Sequence, residues 1–245
     1  MSVPLRRRLR AGDKVYGAIV RLPNEDLVDM LGVAGLDFVL VDCEHGPADV
    51  TALRQHIVYA EAHGLAVLVR VGENEPGLVL RALDQGAQGV VIPHVDTAAE
   101  AAEAVATVHY PPLGRRGFAT YTRAGGFGTT DPREHQTRLA EETLVLAMLE
   151  SPTAVRNAGE ILAVDGIDGY LVGTADLAAS SSPDDPSVAD SLETVRSVGR
   201  HQGSLRADIV NDTETAERAL GDGAQLVVYN LAAVMMRTFA GLRVR

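Results

Sequence analysis

A chain of 245 residues with 33 acidic and 22 basic side chains, net charge −11, is poorly suited to a nucleic-acid partner, whose phosphates call for basic patches. With no Trp and 4% aromatic residues it offers no stacking platform for bases, and its one cysteine excludes an internal disulfide or a cysteine-rich zinc site. At 46% hydrophobic and 22% charged the composition is that of a folded globular protein; no apolar run is long enough to cross a bilayer, and the opening MSVPLRRRLRAGD lacks the apolar segment of a signal peptide, so no membrane partner and a cytoplasmic setting are expected.

Eight short β-branched runs follow in order: VYGAIV (15–20), FVLVD (38–42), AVLVRV (66–71), GVVIPH (89–94), LVLAMLE (144–150), GYLVG (169–173), LRADIV (205–210) and LVVYN (226–230). Between most of them apolar residues recur at helical spacing, as with Val50, Leu53 and Ile57 after the second run and Ala98, Ala101, Val105 and Val108 after the fourth. Gly64, Gly86 and Gly203 each stand where a helix should close before a strand. Strands that are apolar throughout, rather than alternating, belong to a parallel sheet covered on both faces. Eight such units predict one (β/α)8 barrel domain over 1–245, with a doubly wound open sheet as the alternative; no glycine-rich phosphate fingerprint follows the first run to support the latter. The long departure is 111–143, an insertion between the fourth helix and the fifth strand, whose Asp131-Pro132-Arg133-Glu134 reads as N-cap, first-turn proline and capping-box acid. An insertion of this length is expected on the working face.

Barrel chemistry gathers at the C-terminal strand ends. There the chain places Asp42, Glu44 and His45 after the second run, Arg70 at the third, His94 at the fourth, Glu150 at the fifth, and Gly173-Thr174-Ala175-Asp176 after the sixth. Glu150 and Asp176 end successive units, and a divalent cation is what lets two such carboxylates stay ionised together; taken singly, Asp176 could be a helix cap and Glu150 an arginine's partner. An oxygen site of this kind suits Mg²⁺, Mn²⁺ or Co²⁺. The Gly173–Ala175 turn presents backbone N–H groups able to hold a carboxylate, or is an ordinary turn. Arg70 must be paired or reach for an anion. His45 is either a proton carrier or a structural hydrogen-bonder.

The series Asp42-x-Glu44-His45-Gly46-Pro47, Arg70, Leu83-Asp84-x-Gly86-Ala87-Gln88-Gly89, Ile92-Pro93, Tyr110-Pro111-Pro112-x-Gly114-x-Arg116-Gly117, Glu150 and Gly173-x-x-Asp176-Leu177 resembles the metal-dependent class II pyruvate aldolases of the HpcH/HpaI family. The resemblance implies a barrel of the phosphoenolpyruvate/pyruvate-binding type in a homo-oligomer, a hexamer built as a trimer of dimers. It also implies a divalent metal on Glu150 and Asp176, and a 2-keto acid whose keto oxygen meets Arg70 and whose carboxylate meets Gly173, Thr174 and Ala175. His45 would move protons together with Asp84 of a neighbouring subunit, and the second substrate would be an aldehyde. Met148 stands where the family usually has Gln, and His94 where Met is common, so both are expected to touch substrate. Tyr229-Asn230-Leu231-Ala232 and Ser180–Pro186 also depart, all on the substrate side, suggesting retained enolate chemistry with a changed partner, in a biosynthetic direction. A lyase acting on a citryl or malyl thioester would need a basic groove, for which the chain offers only Arg115, Arg116 and Arg123. A catalytically silent keto-acid-binding barrel is the remaining alternative, against which the intact Glu150, Asp176, Arg70 and His45 speak. The sole lysine, Lys14, precedes the first strand, on the wrong face for a Schiff base.

Overall fold

The computed structural model describes residues 3–46, 49–73 and 75–243. Eight parallel strands close into a barrel in sequence order: β1 Val15–Val20, β2 Phe38–Asp42, β3 Ala66–Arg70, β4 Gly89–Ile92, β5 Leu144–Leu149, β6 Gly169–Val172, β7 Leu205–Val210 and β8 Leu226–Asn230. The open-sheet alternative falls because β1 pairs with β8, Gly17 opposite Val228, which leaves no edge strand. The third to sixth strands stop one or two residues short of their apolar runs, so Glu150 and His94 sit just beyond the sheet.

Eleven α-helices are described: α1 Leu5–Arg10, α2 Glu25–Val33, α3 Val50–Ala62, α4 Pro76–Gln85, α5 Ala98–Val108, α6 Pro132–Glu142, α7 Pro152–Leu162, α8 Thr174–Ser180, α9 Val188–Gln202, α10 Thr213–Gly221 and α11 Leu231–Gly241. None is long and apolar enough to cross a membrane. β2 to β5 are apolar almost throughout because they bury both faces, whereas β7 carries Arg206 and Asp208 and exposes Ile209, and β1 exposes Tyr16. Phe38 and Leu40 point into the barrel with Leu144, Leu146 and Leu205, while Val39 and Val41 pack outward against Leu53 and Ile57 of α3. Ala101, Val105 and Val108 form the buried face of α5 as expected, but Val50, at the first turn of α3, is exposed. Gly64, Gly86 and Gly203 take φ of 73°, 110° and 69°, the left-handed closure their positions predict.

α1 precedes the barrel and shuts its lower end. Leu5 and Leu9, each 2% exposed, join the interior cluster beside Val15, Phe38, Leu144, Leu205 and Leu226, which open their strands. Arg6 ties the helix down through Asp168, 2.7 Å away, and the carbonyl of Ala140 at 2.8 Å.

The insertion lies at this same lower end, which corrects the expectation that it forms the working face. It links α5 to β5, and a helix-to-strand connection must arrive where strands begin. Accordingly α6 packs beside α1, and the Ala124 N–H donates to the carbonyl of Asp84 at the foot of α4. Its second half is helical as expected: Asp131 accepts from the N–H groups of Arg133 and Glu134, with Pro132 in the first turn.

Candidate active site

The wall built by β2 and β3 is held by a buried ion pair. Asp42 and Arg70 are the last residues of adjacent strands and register partners, so their side chains meet side by side. Arg70 Nε lies 3.0 Å from Asp42 Oδ1 and Nη2 lies 2.5 Å from Oδ2; its Nη1 reaches Glu44 Oε2 at 2.9 Å and the Met148 sulfur at 3.7 Å. Burial alone would raise the Asp42 carboxyl, but the paired Arg70 outweighs it and holds it below the usual carboxylate range. The guanidinium is raised in turn: burial works against its charge, and the bonds to Asp42 overcome that. Asp42 Oδ1 also accepts the N–H groups of Glu44 and His45, which turns the chain after β2 and leaves the exposed His45 side chain lining the cavity. Pro47 of the same motif lies outside the described residues. Burial and the Asp42 charge push the Cys43 thiol up to about 11, so it is a packing thiol and no nucleophile at neutral pH.

Around Glu150 the groups are of opposite character. This residue, 3% exposed, accepts the His94 N–H at 2.7 Å and has His94 Nδ1 3.1 Å away, while His94 Nε2 is 3.4 Å from Glu44 Oε1. His94 adopts φ 53°, a left-handed conformation that costs a non-glycine residue about 1–2 kcal/mol. That conformation is accompanied by both its N–H and its ring meeting Glu150. Burial raises the Glu150 carboxyl, an effect reinforced by the charges of Glu44 and Asp176 and only partly offset by His94. Glu44, His94 and Glu150 each bring a ligand atom within 4.8 Å of the others. Asp176, in the first turn of α8, stands outside this tight set but acts on Glu150 through its charge and lines the same cavity. A buried carboxylate of raised proton affinity, Glu150, with the Glu44 and Asp176 carboxylates and an imidazole beside it, fits a divalent cation.

Gly173 makes the junction between β6 and α8 possible. A Cβ there would fall onto Glu150 Oε2 and within 2.8 Å of the Met148 methyl, so the backbone can approach the acids only without a side chain. Its position at the N-cap leaves α8 without a side-chain cap, and the first-turn N–H groups beside Thr174 and Ala175 are left for a ligand.

His45, Arg70, Met148, Gly173, Thr174, Ala175 and Asp176 line one cavity of about 770 Å³ at the strand C-termini. Arg21, directly after β1, lines it too and went unread in the sequence; Asn230, at the end of β8 in the stretch expected on the substrate side, lines it as well, as do residues of β7, α9 and α10 such as Asp208, Arg196 and Arg218. Arg21 carries the signal that singled out Arg70, an arginine ending an apolar run. Asp84 is not brought to this cavity. It sits in the last turn of α4, toward the lower end, where its Oδ1 is 2.6 Å from Arg116 Nη2. Arg115 pairs with Glu103, Arg116 with Asp84 and Arg123 with Glu61, so the three arginines a thioester's phosphates would need are engaged near the insertion. Lys14, as expected, is away from the cavity, its Nζ donating to the carbonyl of Leu220.

Residues 16–232 match the sequence profile of the family described as HpcH/HpaI aldolase/citrate lyase. The hydroxypyruvate/pyruvate aldolase of Roseobacter denitrificans is 31% identical over 96% of this chain and 94% of its own length. The 5-keto-4-deoxy-D-glucarate aldolase of Klebsiella pneumoniae is 34% identical over 89% of this chain and 86% of its own. A solved HpcH/HpaI aldolase/citrate lyase family protein from Burkholderia cenocepacia superposes with a TM-score of 0.89 at 30% identity, covering 97% of this chain and 96% of that one.

Proposed function

Given that the chain belongs to the HpcH/HpaI aldolase/citrate lyase family and is a carbon–carbon lyase of the aldolase kind, we propose that it cleaves a 4-hydroxy-2-keto acid to pyruvate and an aldehyde, or joins the two. The observation that carries this reading is a braced Arg70 and Asp176 lining one cavity, with the buried Glu150 carboxylate packed against the Gly173 backbone of its wall. A divalent cation (Mg²⁺, Mn²⁺ or Co²⁺) held by Glu150 and Asp176 would supply the positive charge that lowers the energy of a pyruvate enolate.

The chain's own groups do the rest. Arg70 directs its charge at the keto oxygen, and because Asp42 fixes its guanidinium beforehand, little reorganisation is needed as the enolate forms. The free N–H groups at the start of α8, next to Gly173, Thr174 and Ala175, receive the pyruvate carboxylate, and Met148 and His94 flank it. In cleavage His45 accepts the proton of the 4-hydroxyl as the C3–C4 bond breaks, and that electron pair becomes the enolate, which is then protonated at C3. Decarboxylation of oxaloacetate passes through the same enolate and is expected as a side activity. Because Asp84 lies away from its own chain's cavity, its part in proton transfer requires a second copy, in a homo-oligomer of the trimer-of-dimers kind.

The test is exchange of the pyruvate methyl protons in D₂O, followed by NMR with Mg²⁺ or Mn²⁺. Exchange should require the metal, vanish on chelation, and fall by about 10²–10³-fold in Glu150→Ala and Arg70→Ala. Exchange that survives chelation, or persists in Glu150→Ala, refutes the mechanism. Binding of keto acid without exchange or cleavage under any metal would instead support the silent barrel.

A further inference from the structure

The cavity holds a second guanidinium that enolate formation leaves unused. Arg21 Nε donates to Asp42 Oδ2 at 2.7 Å and its Nη1 to Asn230 Oδ1 at 3.2 Å. The Arg70 side chain is 4% exposed and has two carboxylates within reach, Asp42 and Glu44. The Arg21 side chain is 28% exposed, and its one carboxylate contact among the described residues is the Asp42 oxygen it shares with Arg70. Arg21 therefore brings a positive charge to the cavity that its neighbours do not fully neutralise, and among the described residues its Nη2 has no hydrogen-bond partner. A half-sheltered guanidinium with unused donors is suited to an anion.

Asn230 is diverted to the same place. It occupies the N-cap of α11, where an asparagine ordinarily accepts from the first N–H groups of the helix. Seven other helices have such a cap, among them those begun by Asn24, Asp49 and Thr97, yet Asn230 makes none. Its Oδ1 accepts from Arg21 instead. In the closed ring of strands, β1 and β8 lie across from β5 and β4, so this pair stands at the rim opposite the strand that ends at Glu150.

We infer that Arg21 and Asn230 form the subsite for the aldehyde, and that this aldehyde carries a carboxylate. The inference rests on the aldolase reading above. With pyruvate held at the β5–β6 side, the new bond joins its C3 to the carbonyl carbon of the acceptor. The far end of the acceptor is then directed to the β8–β1 wall, where Arg21 binds its carboxylate and the Asn230 amide adds a donor.

The probes are succinic semialdehyde and butanal, equal in chain length and differing in the carboxylate, each tested in aldol addition to pyruvate. The wild type should favour the acid in kcat/KM by about ten- to a hundredfold, the range expected for a hydrogen bond to a charged group. Arg21→Met should collapse this ratio by lowering the acid far more than butanal, and Arg21→Lys should restore part of it. A wild type that exchanges pyruvate methyl protons but prefers neither aldehyde overturns the carboxylate assignment alone. Equal losses for both aldehydes in Arg21→Met assign Arg21 to bracing Asp42 and overturn the subsite. Absence of exchange in the wild type overturns the aldolase reading itself.

Discussion

His109 is a histidine that the fold keeps neutral. At the end of α5 it is 3% exposed, its Nε2 has no hydrogen-bond partner, and burial, with Arg6 next in weight, lowers it to about 4. A folded value below the unfolded one, near 6.5, means that the unfolded chain binds the proton more readily, so stability is lost as pH falls from about 6.5 toward 4. In urea unfolding, the wild type should lose about 2 kcal/mol more than His109→Gln between pH 7 and pH 5. A pH-independent difference between the two would show the site to be open to water. The cavity residues follow a different logic. Arg70 and Glu150 were legible because each is a charge ending an apolar run, an expense only pairing or chemistry offsets. That Asp42 would be shared by two arginines was not legible, since it depends on the β2–β3 register and on Arg21 reaching across to it.

Among the elements, the turn from β6 into α8 is the most tightly specified. Gly173→Ala would press a methyl onto Glu150 and Met148 without altering either strand or helix. Affinity for Mn²⁺, measured by calorimetry, should fall about 10–100-fold with the circular dichroism spectrum unchanged. Unaltered affinity would show that the acids tolerate displacement. All eight strands could be read from the chain, most of them because a strand buried on both faces is an uninterrupted apolar run; β7 carries Arg206 and Asp208 within its run. The insertion could be read as an insertion and as partly helical, from the Asp131-Pro132 start, but its place could not be read from its length. Connectivity decides that, since a segment entered from α5 and left into β5 must lie where strands begin.

For the whole molecule, the position of Asp84 makes assembly testable. His45 lines the cavity and Asp84 lies toward the opposite end, paired to Arg116. If a neighbouring copy supplies Asp84, then mixing His45→Asn with Asp84→Asn subunits, by joint unfolding and refolding, should regenerate some intact sites and recover activity that neither variant has alone. No recovery in oligomers shown by mass spectrometry to be mixed would place each site within one chain. α1 has a bearing on traffic as well as on stability. With Leu5 and Leu9 stoppering one end and the interior filled with side chains, the site opens, among the described residues, at the end where the strands finish. Pyruvate and aldehyde must enter and leave through it, so whichever is seated nearer the acids becomes the first to arrive in synthesis and the last to depart in cleavage.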